Sequence, residues 1–225
     1  MDKRHPKGVL KLDYHLKRKN KKAFAYRFQR RTKEVLKAIQ KYQPKPNNIL
    51  DLGTADGLML SQIKDHFPKS NCLGIEYSQE LIKTNQDKRI KIIQGNVLKL
   101  PFQKPQFEVI IAAAIIEHLN QPQKLIRESQ RVLKKNGILI LTTPDPFWEK
   151  TATLVGHLKK ESHYSTLDLR ELTKILKKQG FQILEKKKFM FSPIGFPREE
   201  AIEKILRLFS LNALMANQLI IAKKK

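Results

Sequence analysis

Two glycines and two carboxylates stand where this chain could hold a ligand. The stretch Ile49-Leu50-Asp51-Leu52-Gly53-Thr54-Ala55-Asp56-Gly57-Leu58-Met59-Leu60 begins as an apolar run, turns through Gly53 and Gly57, and resumes with helical apolar spacing. That pattern predicts a strand, a tight loop and a helix start. Glycine tolerates positive φ and lets a ligand approach bare backbone. The first amides of the helix lack intrahelical partners and carry partial positive charge, so the loop suits a polar or anionic ligand group. The lysine-serine signature of a phosphate-binding P-loop is missing. Ala55 interrupts the G-x-G-x-x-G of a dinucleotide site. The second carboxylate separates the remaining readings. Asn71-Cys72-Leu73-Gly74-Ile75-Glu76 reads as a short strand closed by Glu76, 23 residues after Gly53, a spacing that suits a β-loop-helix-loop-β unit. A carboxylate there can accept both hydroxyl protons of a ribose. A glutamate ending a buried strand without an obvious lysine partner needs some such reason.

Further stretches follow in order. Gly95-Asn96-Val97-Leu98-Lys99-Leu100-Pro101-Phe102 is a turn after a third strand. Phe107-Glu108-Val109-Ile110-Ile111-Ala112-Ala113-Ala114-Ile115-Ile116-Glu117-His118-Leu119 is a fourth strand and its exit. Arg131-Val132-Leu133-Lys134-Lys135-Asn136-Gly137-Ile138-Leu139-Ile140 passes from a helix to a fifth strand. Together with the glycine loop and Glu76, these motifs resemble class I S-adenosylmethionine (SAM)-dependent methyltransferases of the methyltransferase type 11, quinone-biosynthesis-like group. The resemblance covers roughly Tyr26 to the C-terminus.

The resemblance implies an α/β fold: a Rossmann-like, doubly wound seven-stranded sheet, mostly parallel with the last strand antiparallel. It implies SAM as cofactor and no metal. It places Asp51, Gly53, Thr54, Ala55 and Gly57 around the methionine end of SAM, and Glu76 on the ribose. Tyr77 would flank the adenine. Asn96, where the group commonly has aspartate, can still accept from the adenine amino group, and the backbone of Val97 would face the ring. Ala112 and Ala113 would leave room beside the sulfonium. Arg31, or Arg27, would pair with the methionine carboxylate. His118 is the candidate base. Thr143, Asp145, Trp148, His163 and Tyr164 are the candidate acceptor-binding residues, with Phe147 beside them.

These residues need a frame to position them. Strands are expected at 48–53, 71–76, 90–95, 107–112 and 137–143, with two more over Phe181 to Phe191 and Ala213 to Ala222. Helices are expected near 57–66, 78–87, 121–135 and 166–179. Alternation of this kind means a parallel sheet with helices on both faces. Proline at Pro122 suits a helix opening, and Asn136-Gly137 its end. Ser165 with Asp168 resembles a capping box. Ahead of the sheet, Lys21 to Tyr42 reads as an amphipathic helix. Phe24, Phe28, Val35, Ile39 and Tyr42 form one stripe, with Arg30, Lys33 and Lys37 pointing away and Pro44 and Pro46 ending it.

Charge is the other signal. The 225 residues carry a net charge of +24, which favours an anionic partner. Sixteen of the 45 basic residues but only 3 of the 21 acidic ones fall in positions 1–45, so the excess is concentrated there. The division expected is a basic N-terminal arm and amphipathic helix over 1–45, then a SAM-binding domain over 46–225. The arm would meet RNA or an acidic lipid surface. No apolar run reaches the roughly 20 residues needed to span a bilayer, no leader peptide is visible, and the lone Cys72 forms no internal disulfide. A cytoplasmic protein, peripheral at a membrane if its acceptor is a lipid, is the expectation. The leading function is methyl transfer to a small-molecule or lipid-linked acceptor. The alternatives are an RNA methyltransferase using the arm and a SAM-binding module without catalysis. The Asn/Asp-Pro-Pro-aromatic motif of enzymes that methylate nucleic-acid base amino groups is not there.

Overall fold

The computed structural model describes residues 21–154, 164, 166–192, 194–195 and 197–225. Its helices are α1 (Lys22–Tyr42), α2 (Leu58–His66), α3 (Gln79–Lys83), α4 (Pro122–Val132), α5 (Pro146–Leu154), α6 (Leu169–Lys178) and α7 (Glu199–Leu208). Its strands are β1 (Asn48–Leu52), β2 (Asn71–Glu76), β3 (Lys91–Gln94), β4 (Phe107–Ala113), β5 (Leu133–Pro144), β6 (Phe181–Phe189) and β7 (Asn217–Lys224). They form one sheet in the order β3-β2-β1-β4-β5-β7-β6. β1 to β5 pair in parallel, and β7 runs antiparallel to both its neighbours. This is the expected Rossmann-like topology. The order reverses between β1 and β4, so the loops after these strands open a crevice at the carboxyl edge of the sheet.

Each face of the sheet has its own core. On one, Leu125, Ile126 and Val132 of α4 and Leu172 and Leu176 of α6 pack against Leu50, Ile110 and Leu139. On the other, Phe28, Val35 and Ile39 of α1 join Leu60 and Ile63 of α2 over Ile49, Val109 and Ile140. The central strands are apolar on both sides because both are covered.

Several local expectations are corrected. The helix expected over 78–87 is the short α3, opened by the Ser78 side chain accepting from the Leu81 amide. The helix expected to 135 stops at Val132, and β5 starts at once. Asn136, at φ 66°, sits in a bulge: Phe107 pairs with Leu133, yet Val109 pairs with Ile138. A Cβ on Gly137 would come within 2.9 Å of the Leu133 side chain, 3.0 Å of the Lys134 carbonyl oxygen and 3.1 Å of the Glu108 carbonyl oxygen, so crowding within the bulge and against β4 explains the glycine there. Asp168, not Ser165, caps α6, in a box closed by Glu171. The last strand begins at Asn217, behind a 3-10 turn over Asn212–Leu214. Helices α5 and α7 were not foreseen.

The largest correction concerns Arg30. It points away from the apolar stripe as expected, but into a buried ion cluster instead of solvent, held between Glu34 at 3.0 Å and Glu203 of α7 at 2.8 Å. Glu34 in turn takes Lys187 of β6 at 2.8 Å. Lys33 and Lys37 reach over to Glu200. α1 therefore has two used faces, an apolar one on the sheet and an ionic one under α7.

Candidate functional site

The first elements to position are the carboxyl ends of β1 and β2. Gly53 leaves β1 at φ 70°, and its amide and that of Thr54 donate to the Ile75 carbonyl, at 2.8 and 3.2 Å. A Cβ on Gly53 would lie 2.3 Å from the Ile115 side chain, so the turn tolerates no larger residue without a shift. Gly57, at φ 80°, stands just ahead of α2. Ala55 sits at φ 54°, in the left-handed region that favours glycine. It is held there by Glu76, whose Oε2 accepts the Ala55 amide at 2.9 Å.

Glu76 is buried and also accepts the Ser78 amide through Oε1 at 2.9 Å. Each carboxylate oxygen thus has one backbone partner, and an ionised carboxylate has about four acceptor sites. Two remain for a ligand that donates hydrogen bonds. The bonds also tie the glycine loop to the end of β2. Asp51, buried within β1 just ahead of the glycine turn, accepts from the Thr54 hydroxyl at 2.7 Å. Burial pushes its carboxyl up to about 7, and the nearby Glu76 charge adds to this.

That shift has a measurable consequence. The folded protein keeps a proton on Asp51 that the unfolded chain has already released, between about pH 4 and pH 7. Ionising Asp51 therefore costs stability as pH rises through that window, at up to about 1.4 kcal/mol per pH unit. Asp51→Asn should raise the melting temperature more at pH 8 than at pH 5, and should bind S-adenosylhomocysteine more weakly. Parallel thermal melts at the two pH values and a titration check both parts.

The other expected cofactor residues are placed as follows. Tyr77 is exposed, and its carbonyl accepts from Gln94. Asn96 is exposed in a turn in which its Oδ1 accepts the Leu98 amide at 2.8 Å. Val97 is buried beneath it. Ala112 is buried and Ala113 half-buried at the end of β4. Arg27 lies over the Phe24 ring at 4.4 Å, and Arg31 is half-buried on α1. A cavity of about 520 Å³ lies elsewhere, lined by Tyr26, Arg30, Gln62, His66 and Glu199 among others, and includes none of the loop residues.

Beside the loop lie the exits of β4 and β5. Ala114 turns at φ 53°, with its amide on the Thr142 carbonyl. A short 3-10 turn over Ile116–His118 follows. His118 is half-buried there. Its neighbour Glu117 is buried and accepts from the Thr143 hydroxyl at 3.2 Å. The Glu117 carbonyl accepts the Tyr164 amide, which brings Tyr164 to the same mouth. Asp145 is tied up: it pairs with Lys188 at 2.5 Å and accepts the Phe147 amide at the head of α5. Trp148 donates through Nε1 to the Ala213 carbonyl at 2.9 Å. His163 lies outside the described residues. Sequence reasoning passed over Glu117 and Thr142, whose buried Oγ1 has no hydrogen-bond partner among the described residues. A carboxylate amid Ile115, Ile116 and Leu119 was the available signal for Glu117.

The geometry is that of an open α/β sheet with a buried carboxylate at one strand tip and a glycine turn at the next. Residues 23–186 match the family described as Methyltransferase domain, and the chain belongs to it. It is a SAM-dependent methyltransferase by family. Malonyl-(acyl-carrier protein) O-methyltransferase of Halalkalibacterium halodurans is 27% identical over 114 residues, 46% of this chain and 42% of that one. Demethylmenaquinone methyltransferase of Thermotoga maritima is 29% identical over 99 residues, 43% of each. The match thus spans less than half the length of either relative. Among solved structures, the putative methyltransferase in complex with the Haloferax volcanii Trm112 methyltransferase activator has a TM-score of 0.68 at 14% identity, covering 92% of this chain and 95% of that one. This likeness is one of fold.

The residues present fit SAM on structural grounds. Glu76 keeps free acceptor capacity in a buried setting. The Gly53 turn lies under Ile115 without a side chain of its own. At Ala112 and Ala113 the end of β4 carries nothing larger than a methyl group.

Proposed function

We propose that the protein transfers the methyl group of SAM to a small-molecule or lipid-linked acceptor that enters over the ends of β4 and β5. The observation that carries this reading is the pairing of Glu76 with the glycine loop: one buried carboxylate both shapes the turn and keeps acceptor sites for a ribose. Bound SAM supplies a methyl carbon on a sulfonium, which is a good leaving group. The chain's own part is to bind and align. Glu76 takes the two ribose hydroxyls, Asp51 sets its carboxylate towards the ammonium, and Arg31 is the proposed partner of the carboxylate. Alanines at 112 and 113 leave the approach line open. Alignment of this kind is worth about 7–11 kcal/mol in favourable cases. A strong base is not obligatory, and His118 is the residue proposed for that role if the acceptor must lose a proton. The names of the two enzyme relatives, acting on an acyl carrier and on a menaquinone precursor, support an acceptor of this class.

A second reading rests on the charge concentrated in the first 45 residues. The arm at 1–20 lies outside the described residues, and RNA methylation through it is the alternative. Incubation with methyl-labelled SAM and fractionated cell extract separates the two. Label is expected in the lipid or small-molecule fraction. Label in RNA, with a KM that rises steeply with salt, overturns the acceptor assignment. No label in any fraction would leave a binding module.

A further inference from the structure

The end of α7 and the turn behind it expose apolar side chains that nothing in the site accounts for. Leu208 is 82% exposed and Phe209 71%, and Leu211 and Leu214 are exposed beside them. Phe147, 62% exposed, joins the same rim. Its ring meets Trp148 edge-on at 5.9 Å, and Trp148 is hydrogen-bonded to Ala213 in the turn. The rim lies at the carboxyl edge of the sheet. Pro144 at the end of β5 pairs with Asn217, and the Asp145 amide donates to Ala216. It therefore borders the mouth where β4 and β5 end. A cluster of exposed aromatic and leucine side chains on one edge marks an interaction surface.

The charge around it indicates what covers it. From Lys204 to Lys225 the sequence has no acidic residue. The acidic side chains of α7 are turned elsewhere: Glu199 and Glu203 are buried, and Glu200 pairs with Lys33 and Lys37. On the α5 side Glu149 is buried while Lys150 is exposed. Among the described residues, the rim thus presents apolar groups flanked by cations, with no exposed carboxylate between them. Apolar side chains that enter the headgroup boundary, with lysines drawn to anionic lipid, are the physical form of an interfacial anchor. We propose that Phe147, Leu208, Phe209, Leu211 and Leu214 dock this protein on an anionic lipid surface, holding the β4–β5 mouth against the bilayer. What the docking delivers rests on the acceptor reading above; the docking itself does not.

The chain contains one tryptophan, Trp148, and it sits on the rim, so its fluorescence reports docking at this place. The full chain should sediment with vesicles of phosphatidylcholine and phosphatidylglycerol and stay largely in solution with phosphatidylcholine alone. Trp148 emission should shift to the blue on the anionic vesicles and be quenched by brominated acyl chains. The double variant Leu208→Ser/Phe209→Ser removes side chains too exposed for the fold to depend on. It should partition at least about tenfold less and bind S-adenosylhomocysteine as the parent does. Failure to bind anionic vesicles overturns the proposal. So does binding that leaves Trp148 emission unchanged, or that the double variant retains in full, since charge alone would then hold the protein. Self-association of the parent that the variant loses, without vesicle binding, would assign the rim to a second copy instead. A parent that docks but takes up no S-adenosylhomocysteine would support the docking and refute the methyltransferase reading separately.

Discussion

Glu76→Ala is expected to weaken S-adenosylhomocysteine binding by about a hundredfold or more. Two hydrogen bonds to a charged acceptor, at roughly 1.5–3 kcal/mol each, account for a loss of that size. The variant should also melt earlier, because the Ala55 and Ser78 amides lose their acceptor. The two effects are separable. Calorimetry at a temperature where circular dichroism shows the variant folded reads binding alone. Melts without ligand read the loop. Glu76→Gln is the informative companion: it keeps the shape but turns a donor toward one of the two amides, so it too should bind poorly. A Glu76→Ala protein with the parent's affinity would remove the ribose contact, and with it the placement of the cofactor.

The second large effect is structural. Arg30→Ala should cost about 3–5 kcal/mol, the range for breaking a buried ion pair by deleting one partner. Glu34 and Glu203 are both buried and would keep their charge without the guanidinium between them. Glu203 has a second duty, accepting the Met190 amide at 2.7 Å, so its position governs the exit of β6 as well. The melting temperature should fall by about 10 °C, taking roughly 2–4 °C per kcal/mol for a chain of this size. Glu203→Ala should also be costly, and the double variant should cost less than the two single changes added. Urea unfolding of the three variants measures this. A loss under about 0.5 kcal/mol for Arg30→Ala would show that solvent reaches the cluster and that α7 is not clamped.

Much of the site was legible because its signals are local. Gly53, Gly57 and Glu76 are read from strand ends and a loop, and the structure puts them side by side because β1 and β2 are parallel neighbours. Other features were not legible. The helix stop at Val132 looked three residues too late because Asn136-Gly137 resembles a helix end, whereas the pair sits in a bulge of the β4–β5 pairing, which only the partner strand reveals. Arg30 looked like a solvated residue because its helical face is otherwise basic. The two partners that bury it differ in kind: Glu34 is one turn away, but Glu203 lies 173 positions later.

The sequence alone determined the periodicity of the elements, the glycine turn and the carboxylate at the second strand tip. These depend on residues within one β-loop-helix-loop-β unit, where spacing translates directly into position. Tertiary structure decided which charges are buried, what Glu76 does to Asp51, and that the turn before β7 brings its leucines to the same edge as Phe147. Burial and charge coupling depend on elements brought together by sheet order, and no local pattern in the chain carries that order.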